Sequence, residues 1–283
     1  MGNIYRINFK QLRQENLKEV FASFERALQV LDIDFYLIGA IARDTWFAQK
    51  GIRALGTKDV DFAVMVSNPE IFSELKKYLV SKEAFTESST NDYALFDKKG
   101  FQIDLLPFGS LEIEGRKIID MEGLVRTDIS GFKEVYEEAT QDVSFDNKYN
   151  FKVSTLAGIV LLKFISYDDR PEMRGQDIKD IAGILSHYFE LEAETIYENH
   201  ANLFTEENDD LNRIAARVLG RQMQKVLNKN ELLKARIVSL LQENTVSPAG
   251  STIALLMQSG NDTIEKQVEL LKEILKGATE KYE

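Results

Sequence analysis

Hydrophobic and polar positions follow two different periods along this chain. Over residues 7–31, apolar side chains recur three and four positions apart, at Leu12, Leu17, Val20, Phe21, Phe24, Ala27 and Leu28. That spacing puts them on one face of a helix, so the pattern predicts a helix over residues 7–31. The short apolar run 34–39 predicts a buried strand, and a helical period returns over residues 39–48.

The next segment predicts strands divided by turns. Residues 59–65 form an apolar strand pattern, and a helix is expected from Asn68 to about Leu79, with Asn68 as its cap and Pro69 at its first position. Residues 93–96 and 101–106 predict a hairpin around the turn 97–100, and residues 110–119 predict a second hairpin that turns at 114–115. Such a mixture favours an α+β or α/β fold for the first half.

From Ser154 onward the period is helical. Residues 154–165, 177–188, 209–226 and 264–275 are expected to be helices, and the polar, acidic stretch 201–210 is expected to be a loop. We therefore predict a mixed α/β domain over residues 1–153 and a helical domain over residues 154–283.

Composition removes several kinds of chemistry. The 283 residues include no Cys, which excludes disulfides, thiolate catalysis and cysteine zinc sites. Two histidines, His187 and His200, lack a metal-ligand partner at helical spacing. Carboxylates are therefore the candidate metal ligands. The sequence has no apolar run of about 18 residues and no signal-peptide pattern at its start, so we expect a soluble, cytoplasmic protein that does not bind membranes.

The net charge limits the binding of nucleic acid. A net charge of −11 and a pI near 4.9 speak against broad, sequence-independent affinity for nucleic acid, because that affinity comes from Lys and Arg at phosphates. A local basic cleft remains possible.

Three aspartates on two predicted strands suggest a metal site. Asp59 and Asp61 are two positions apart, so both side chains project from one face of their strand, and Asp104 lies in the second apolar run. Carboxylates in such strands are costly to bury unless a cation or hydrogen-bond donors compensate them. Mg²⁺ accepts these oxygen ligands, and two Mg²⁺ about 3.5–4 Å apart stabilise the attacking and leaving oxygens of a phosphoryl-type transfer. The alternative is polar residues satisfied by donors.

Other residues could contact the phosphates of a nucleoside triphosphate (NTP). Gly39 and Ala40 lie where a strand runs into a helix, and such a turn offers backbone N–H groups to an anion. Arg43 follows one helical turn later, and Lys58 precedes the aspartates. Lys163 interrupts an apolar helix, where its ammonium could reach phosphate or extend to solvent. An ordinary strand–turn–helix and a solvated loop lysine are the alternatives for Gly39 and Lys58.

Four segments together resemble a known family. Residues 36–44, 56–64, 103–109 and 161–180 are similar, in this order, to the AbiEii/AbiGii-type nucleotidyltransferase toxins of the DNA polymerase β superfamily. The resemblance implies a nucleotidyltransferase-like mixed sheet flanked by helices, a mostly helical C-terminal domain, Mg²⁺-dependent transfer from an NTP, and often the toxin role in a toxin–antitoxin pair. It also implies that residues 1–153 form the catalytic domain and that the helical domain, residues 154–283, completes the cleft and contacts the acceptor.

The resemblance also implies roles for individual residues. Asp59 and Asp61 would be metal ligands, Asp104 the third carboxylate, and Gly39 and Ala40 the triphosphate contacts. Lys163, Lys179 and Asp180 would match the family's later charged motifs. Ala40 stands where many relatives have Ser or Gly, so only backbone donors remain there.

The acceptor stays open at this stage. An RNA 3′ end, a protein hydroxyl and an aminoglycoside-like antibiotic all suit the superfamily, and the acidic chain would attract cationic small molecules. A non-catalytic protein that binds a nucleotide or a partner on the same fold is the alternative from another functional class. An antitoxin partner is implied by the resemblance only.

Overall fold

The computed structural model describes residues 4–14, 16–53, 56–109, 118–120, 126–205 and 209–281. The chain divides into two compact units. The first consists of Met1–Tyr136 and Thr140–Thr155, and the second of Glu137–Ala139 and Leu156–Glu283. Among the helices in these described ranges, none is long and apolar enough to cross a membrane.

The first unit is built on a mixed sheet flanked by helices. Its helices are α1 (Leu17–Leu31), α2 (Gly39–Gln49), α3 (Pro69–Glu83) and α4 (Phe132–Glu138), the last ending in the second unit. Its strands are β1 (Tyr5–Ile7), β2 (Phe35–Ile38), β3 (Asp59–Val66), β4 (Thr86–Glu87), β5 (Ala94–Phe96), β6 (Gln102–Gly109), β7 (Ile118–Asp120), β8 (Arg126–Asp128), β9 (Thr140–Phe145) and β10 (Tyr149–Ser154).

Eight of these strands form one sheet in the order β1-β9-β10-β2-β3-β6-β5-β4, and β7 pairs with β8 separately. Strand β3 runs antiparallel to β2 and parallel to β6. This topology confirms the predicted mixed sheet with flanking helices.

An aromatic cluster packs on one face of the sheet. Phe62 on β3 stacks on Phe24 of α1 at a centroid distance of 4.2 Å and meets Phe21 edge-on at 5.7 Å. Phe21 also meets Phe151 of β10 at 4.7 Å. Phe21, Phe24 and Phe62 are fully buried. Because neighbouring residues of a strand face opposite ways, this cluster turns Asp61 to the other face of β3.

The second unit is mostly helical, as predicted. Its helices are α5 (Leu156–Asp169), α6 (Gly175–Leu191), α7 (Ala193–Asn199), α8 (Leu211–Leu227), α9 (Glu231–Glu243), α10 (Thr252–Met257) and α11 (Ile264–Thr279). Helices α8 and α11 approach most closely at Gly220 and Gly277, where the Cα of Gly220 would lie 3.0 Å from a Cβ on Gly277. Arg217 of α8 donates to Glu273 at 2.8 Å and to Glu280 at 2.6 Å beside this crossing.

The helix predicted over residues 7–31 is wrong at its start. Residues Tyr5–Ile7 form strand β1, which pairs in parallel with β9. A 3₁₀ helix over Phe9–Leu12 follows, capped by the Asn8 side chain, and it ends at Arg13 in the left-handed conformation, with φ 54°. The regular helix begins only at Leu17. The pairing of β1 with a distant strand overrides the local helical period.

Strands β9 and β10 were not predicted, and Ser154 is the last residue of β10 rather than the start of a helix. The expected cap of α3 is confirmed, because Asn68 accepts a hydrogen bond from the Ile71 N–H at 2.9 Å, although α3 continues to Glu83. Of the hairpin predicted over residues 110–119, residues 110–117 lie outside the described residues.

We expect Gly220→Ala to destabilise the protein. A Cβ at Gly220 would overlap the carbonyl oxygen of Ile274, a backbone atom that cannot swing aside, and forced overpacking costs about 1–3 kcal/mol. Gly183→Ala is the matched control, because Gly183 also lies in a helix and its Cβ would meet nothing within 4 Å. Urea unfolding of both variants measures the difference. Equal stability of the two variants would contradict the close helix crossing.

Candidate active site

The three predicted aspartates lie on one face of the sheet. In the parallel pairing of β3 with β6, Asp61 stands opposite Asp104, and Asp59 stands opposite Gln102. Residues paired in this way project to the same face, and neighbouring strands are about 4.8 Å apart. All three aspartates are half-buried. The structure therefore places the carboxylates predicted from two separate segments side by side.

Helix α4 covers the far half of this same face. Tyr36 pairs with Ala63 and Phe108 with Met65, so Tyr36 and Phe108 share the aspartate face. The Tyr36 hydroxyl donates to the carbonyl of Phe132 at 2.9 Å, and both rings pack against Tyr136 of α4 at 5.8 Å. Helix α4 therefore covers the apolar half of this sheet face, and the half that carries the carboxylates stays partly accessible to solvent.

The turn from β2 into α2 touches Asp61. Ile38 pairs with Asp61, and the next residue, Gly39, has φ 69° and is the first residue of α2. A Cβ on Gly39 would come within 2.8 Å of the Asp61 carboxyl carbon and closer still to its Oδ2. Only glycine fits here. The N-terminus of α2 carries a partial positive charge, so it attracts negative charge at this position.

Neutral donors hold the other two carboxylates. The Thr57 hydroxyl donates to Oδ1 of Asp59. The Gln102 amide donates to both oxygens of Asp104, at 2.9 and 3.1 Å. Neither Thr57 nor Gln102 was among the predicted site residues. Part of their signal was present in the sequence, since each lies two positions before an aspartate. Gln102 lies within β6 and so on the same side of that strand as Asp104, whereas Thr57 precedes β3.

The candidate metal ligands are all of one chemical kind. All the candidate ligands are carboxylate oxygens, which hard divalent cations prefer. Within the described parts of the chain, no three acidic or histidine side chains are arranged to hold a metal ion together. Mg²⁺ usually takes one or two protein carboxylates and completes its shell with water and substrate phosphates. The three-carboxylate metal site predicted at Asp59, Asp61 and Asp104 therefore stays a prediction.

The predicted phosphate contacts on α2 and just before β3 differ in exposure. Gly39 and Ala40 are half-buried at the N-terminus of α2, and Lys58 is exposed. Arg43 is only 4% exposed, and it binds the buried carboxylate of Asp44 through Nε at 2.9 Å and Nη2 at 2.8 Å. Arg43 thus faces the protein interior, and we do not include it among the proposed nucleotide contacts.

The predicted residues of the second unit form their own cluster. Lys163 on α5 donates to Asp177 at 2.9 Å and to Asp180 at 2.7 Å, both on α6. Burial lowers the pKa of Lys163, but the two carboxylates outweigh it, so that its pKa lies above the ordinary value of 10.5. Lys179 is exposed on the same helix. The roles in nucleotide binding predicted for Lys163, Lys179 and Asp180 stay predictions.

Comparison with known proteins finds only weak structural similarity. No family model matches the chain, and no curated protein matches it. The resemblance to the AbiEii/AbiGii-type family therefore stays a prediction. Solved structures with similarity include the antibiotic-resistance factor ANT(2″)-Ia, with 12% identity, a TM-score of 0.37, and coverage of 81% of this chain and 97% of that one.

A CCA-adding enzyme in complex with CTP has 15% identity and a TM-score of 0.34, with coverage of 96% of this chain and 73% of that one. The second apo form of a CCA-adding enzyme has 14% identity and a TM-score of 0.33, covering 92% and 68%. At these values the similarity carries no functional argument, and the function rests on the site itself.

We expect Gly39→Ala to disrupt the site. An L-residue at φ 69° costs about 1–2 kcal/mol, and the added methyl would also push the Asp61 carboxylate aside. Gly51→Ala is the matched control, because Gly51 has φ 72° and a Cβ there would meet nothing within 4 Å. Mg²⁺-dependent NTP binding, measured by calorimetry, should be lost in Gly39→Ala and kept in Gly51→Ala. Equal binding by both variants would show that the Asp61 position is not needed.

We expect the ion pairs of Lys163 to stabilise the protein below pH 10.5 and to fade above it. A pKa raised by folding contributes stability that is fully present below the unfolded value of 10.5 and is lost as the pH rises through the folded value. The difference in urea unfolding between the unmutated protein and Lys163→Met should therefore shrink from pH 8 to pH 11.5. Lys179→Met, which changes an exposed lysine, should show no such trend.

Proposed function

We propose that this chain is a Mg²⁺-dependent nucleotidyltransferase, which moves a nucleoside monophosphate from an NTP to a hydroxyl acceptor. The observation that carries the proposal is the in-register pairing of Asp61 with Asp104, with Asp59 on the same face and the Gly39 turn against Asp61. This arrangement puts carboxylates for metal binding and a helix N-terminus for an anion at one place.

In this proposal, the residues of the candidate site have separate chemical roles. Asp59 and Asp61 hold Mg²⁺, and the backbone N–H groups at Gly39 and Ala40 bind triphosphate oxygens. Bound Mg²⁺ supplies positive charge that stabilises the attacking and leaving oxygens. Asp104 orients the acceptor hydroxyl and receives its proton.

The reaction exchanges one phosphorus–oxygen bond for another. The acceptor oxygen attacks the α-phosphorus, the bond from that phosphorus to the bridging oxygen breaks, and pyrophosphate leaves with the bond's electron pair. The protein's contribution is positioning and charge stabilisation, so loss of one carboxylate should be severe.

The acceptor that we propose is a macromolecule, an RNA 3′ end or a protein hydroxyl. A toxin role and an antitoxin partner rest on the sequence resemblance alone, and the structure adds no observation to either. There are two alternatives: transfer to an aminoglycoside-like antibiotic, and nucleotide binding without turnover. An acceptor screen distinguishes both from transfer to a macromolecule.

We expect Asp59→Ala/Asp61→Ala to abolish nucleotide transfer. The purified protein is incubated with each α-labelled NTP and Mg²⁺, together with total RNA, cell protein or an aminoglycoside panel in separate tubes. Label should appear in the RNA or the protein fraction only with the unmutated chain, because the variant lacks the ligands that hold the metal. EDTA should also prevent labelling.

Asp142→Ala is the matched control, because Asp142 is exposed on β9 of the same sheet and away from β3 and β6. This variant should label the acceptor as fast as the unmutated protein does. Full labelling by Asp59→Ala/Asp61→Ala would overturn the proposal. Label on aminoglycosides alone would show that the acceptor is a small molecule and not a macromolecule. NTP binding with no label in any tube would favour the non-catalytic alternative.

A further inference from the structure

We infer that a basic groove in the first unit binds the phosphodiester backbone of a single-stranded RNA, which acts as the acceptor of the reaction. The inference rests on the proposed function for the identity of the RNA as acceptor. The groove has a volume of about 790 Å³, and its cationic side chains are those of Lys10, Arg13, Lys18 and Lys148. We call it the basic groove.

Three elements build the basic groove. The 3₁₀ helix Phe9–Leu12 and its end at Arg13 form one wall, and the β9–β10 turn, with Asp146 at φ 52° and Asn147 at φ 55°, forms another. The Asp146 carboxylate accepts a hydrogen bond from the Phe9 N–H at 3.1 Å, which ties the two walls together. Lys18 extends from α1. Because its walls are joined by hydrogen bonds, the groove exists before any ligand binds.

The charge of the basic groove is opposite to that of the whole chain. Against a net charge of −11, its described lining holds four cations and a single carboxylate, Asp146. Lys18 pairs with that carboxylate at 3.4 Å. Lys10, Arg13 and Lys148 are exposed. Lys148 lies over the ring of Tyr149, at 4.8 Å.

Hydrogen bonds link the basic groove to the loop that precedes Asp59, one of the proposed metal ligands. Gln14 lines the groove, and its amide donates to the Thr57 carbonyl at 2.7 Å. Thr57 in turn donates its hydroxyl to Asp59. A polymer in the groove therefore lies beside the loop that leads directly into β3. In this inference the 3′ end of the strand leaves the groove at Gln14 and passes the start of β3 to the carboxylates on the other face of the sheet.

The form of the basic groove fits an extended strand better than a compact triphosphate. Its cations are long, exposed side chains from separate elements, which can follow successive phosphates along a strand. A triphosphate is bound instead by converging backbone N–H groups, and the N-terminus of α2 beside Asp61 supplies these. The RNA strand and the triphosphate thus have separate binding sites in this inference.

We test the inference by fluorescence anisotropy with a 5′-fluorescein-labelled, single-stranded RNA of twelve nucleotides. Each neutralised phosphate contributes about −0.7 to the slope of log affinity against log salt for single strands, so four cations predict a slope of about −2 to −3. Lys10→Glu/Arg13→Glu should weaken binding by about tenfold or more and roughly halve this slope. Lys148→Glu, on a different element, should weaken it too.

Lys77→Glu/Lys82→Glu is the matched control, because it makes the same charge change at two exposed lysines of α3 in the same unit. This variant should bind the RNA as the unmutated protein does, and circular dichroism checks that every variant is folded. Asp59→Ala/Asp61→Ala should also keep RNA binding, so failure of catalysis is separated from failure of the groove.

Three results would overturn the inference. One is the absence of RNA binding by the unmutated protein, and another is an equal loss of binding in the groove and control variants. The third is displacement of the RNA by inorganic triphosphate together with an equal loss of triphosphate binding in Lys10→Glu/Arg13→Glu, which would make the groove the triphosphate site instead.

Discussion

The position of the candidate active site depends on the packing of one side chain, Phe62. Its ring stacks on Phe24 at 4.2 Å inside a fully buried aromatic cluster. Because the side chains of a strand alternate, this anchor fixes Asp61 on the opposite face. A slip of one residue would exchange the faces and place carboxylates among aromatic rings. Burying an unpaired carboxylate is costly, so the aromatic cluster fixes the register of β3, and the register fixes the site.

The local charge in the first unit matters more for ligand binding than the net charge of the chain. Interactions between exposed charges fade beyond about 10 Å at 0.1 M salt. The exposed cations of the basic groove therefore interact with a phosphate at contact distance, whereas remote carboxylates contribute little. A net charge of −11 is therefore compatible with an anionic ligand at the basic groove. The proposed binding is local, unlike the broad affinity of a uniformly basic protein.

Local patterns predicted the elements that are defined locally. The strand–turn–helix through Gly39 and the cap at Asn68 carry their signals within a few residues. Strand β1 has no such local signal, because its three residues form a strand only through pairing with β9, far along the chain. The helical period of residues 7–31 was real from Leu17 onward, but Asn8 and Arg13 end a separate 3₁₀ turn before it.

The same distinction applies to the candidate site. The two-residue spacing of Asp59 and Asp61 was visible in the sequence, whereas the pairing of Asp61 with Asp104 is a property of the sheet register. Sequence alone also could not show that Arg43 is held by Asp44, and Lys163 by two carboxylates of α6. Both cations have anionic partners that no local pattern reveals. The conformational requirement of the site is the glycine at its edge, because Gly39 has φ 69° and a Cβ there would collide with the Asp61 carboxyl group.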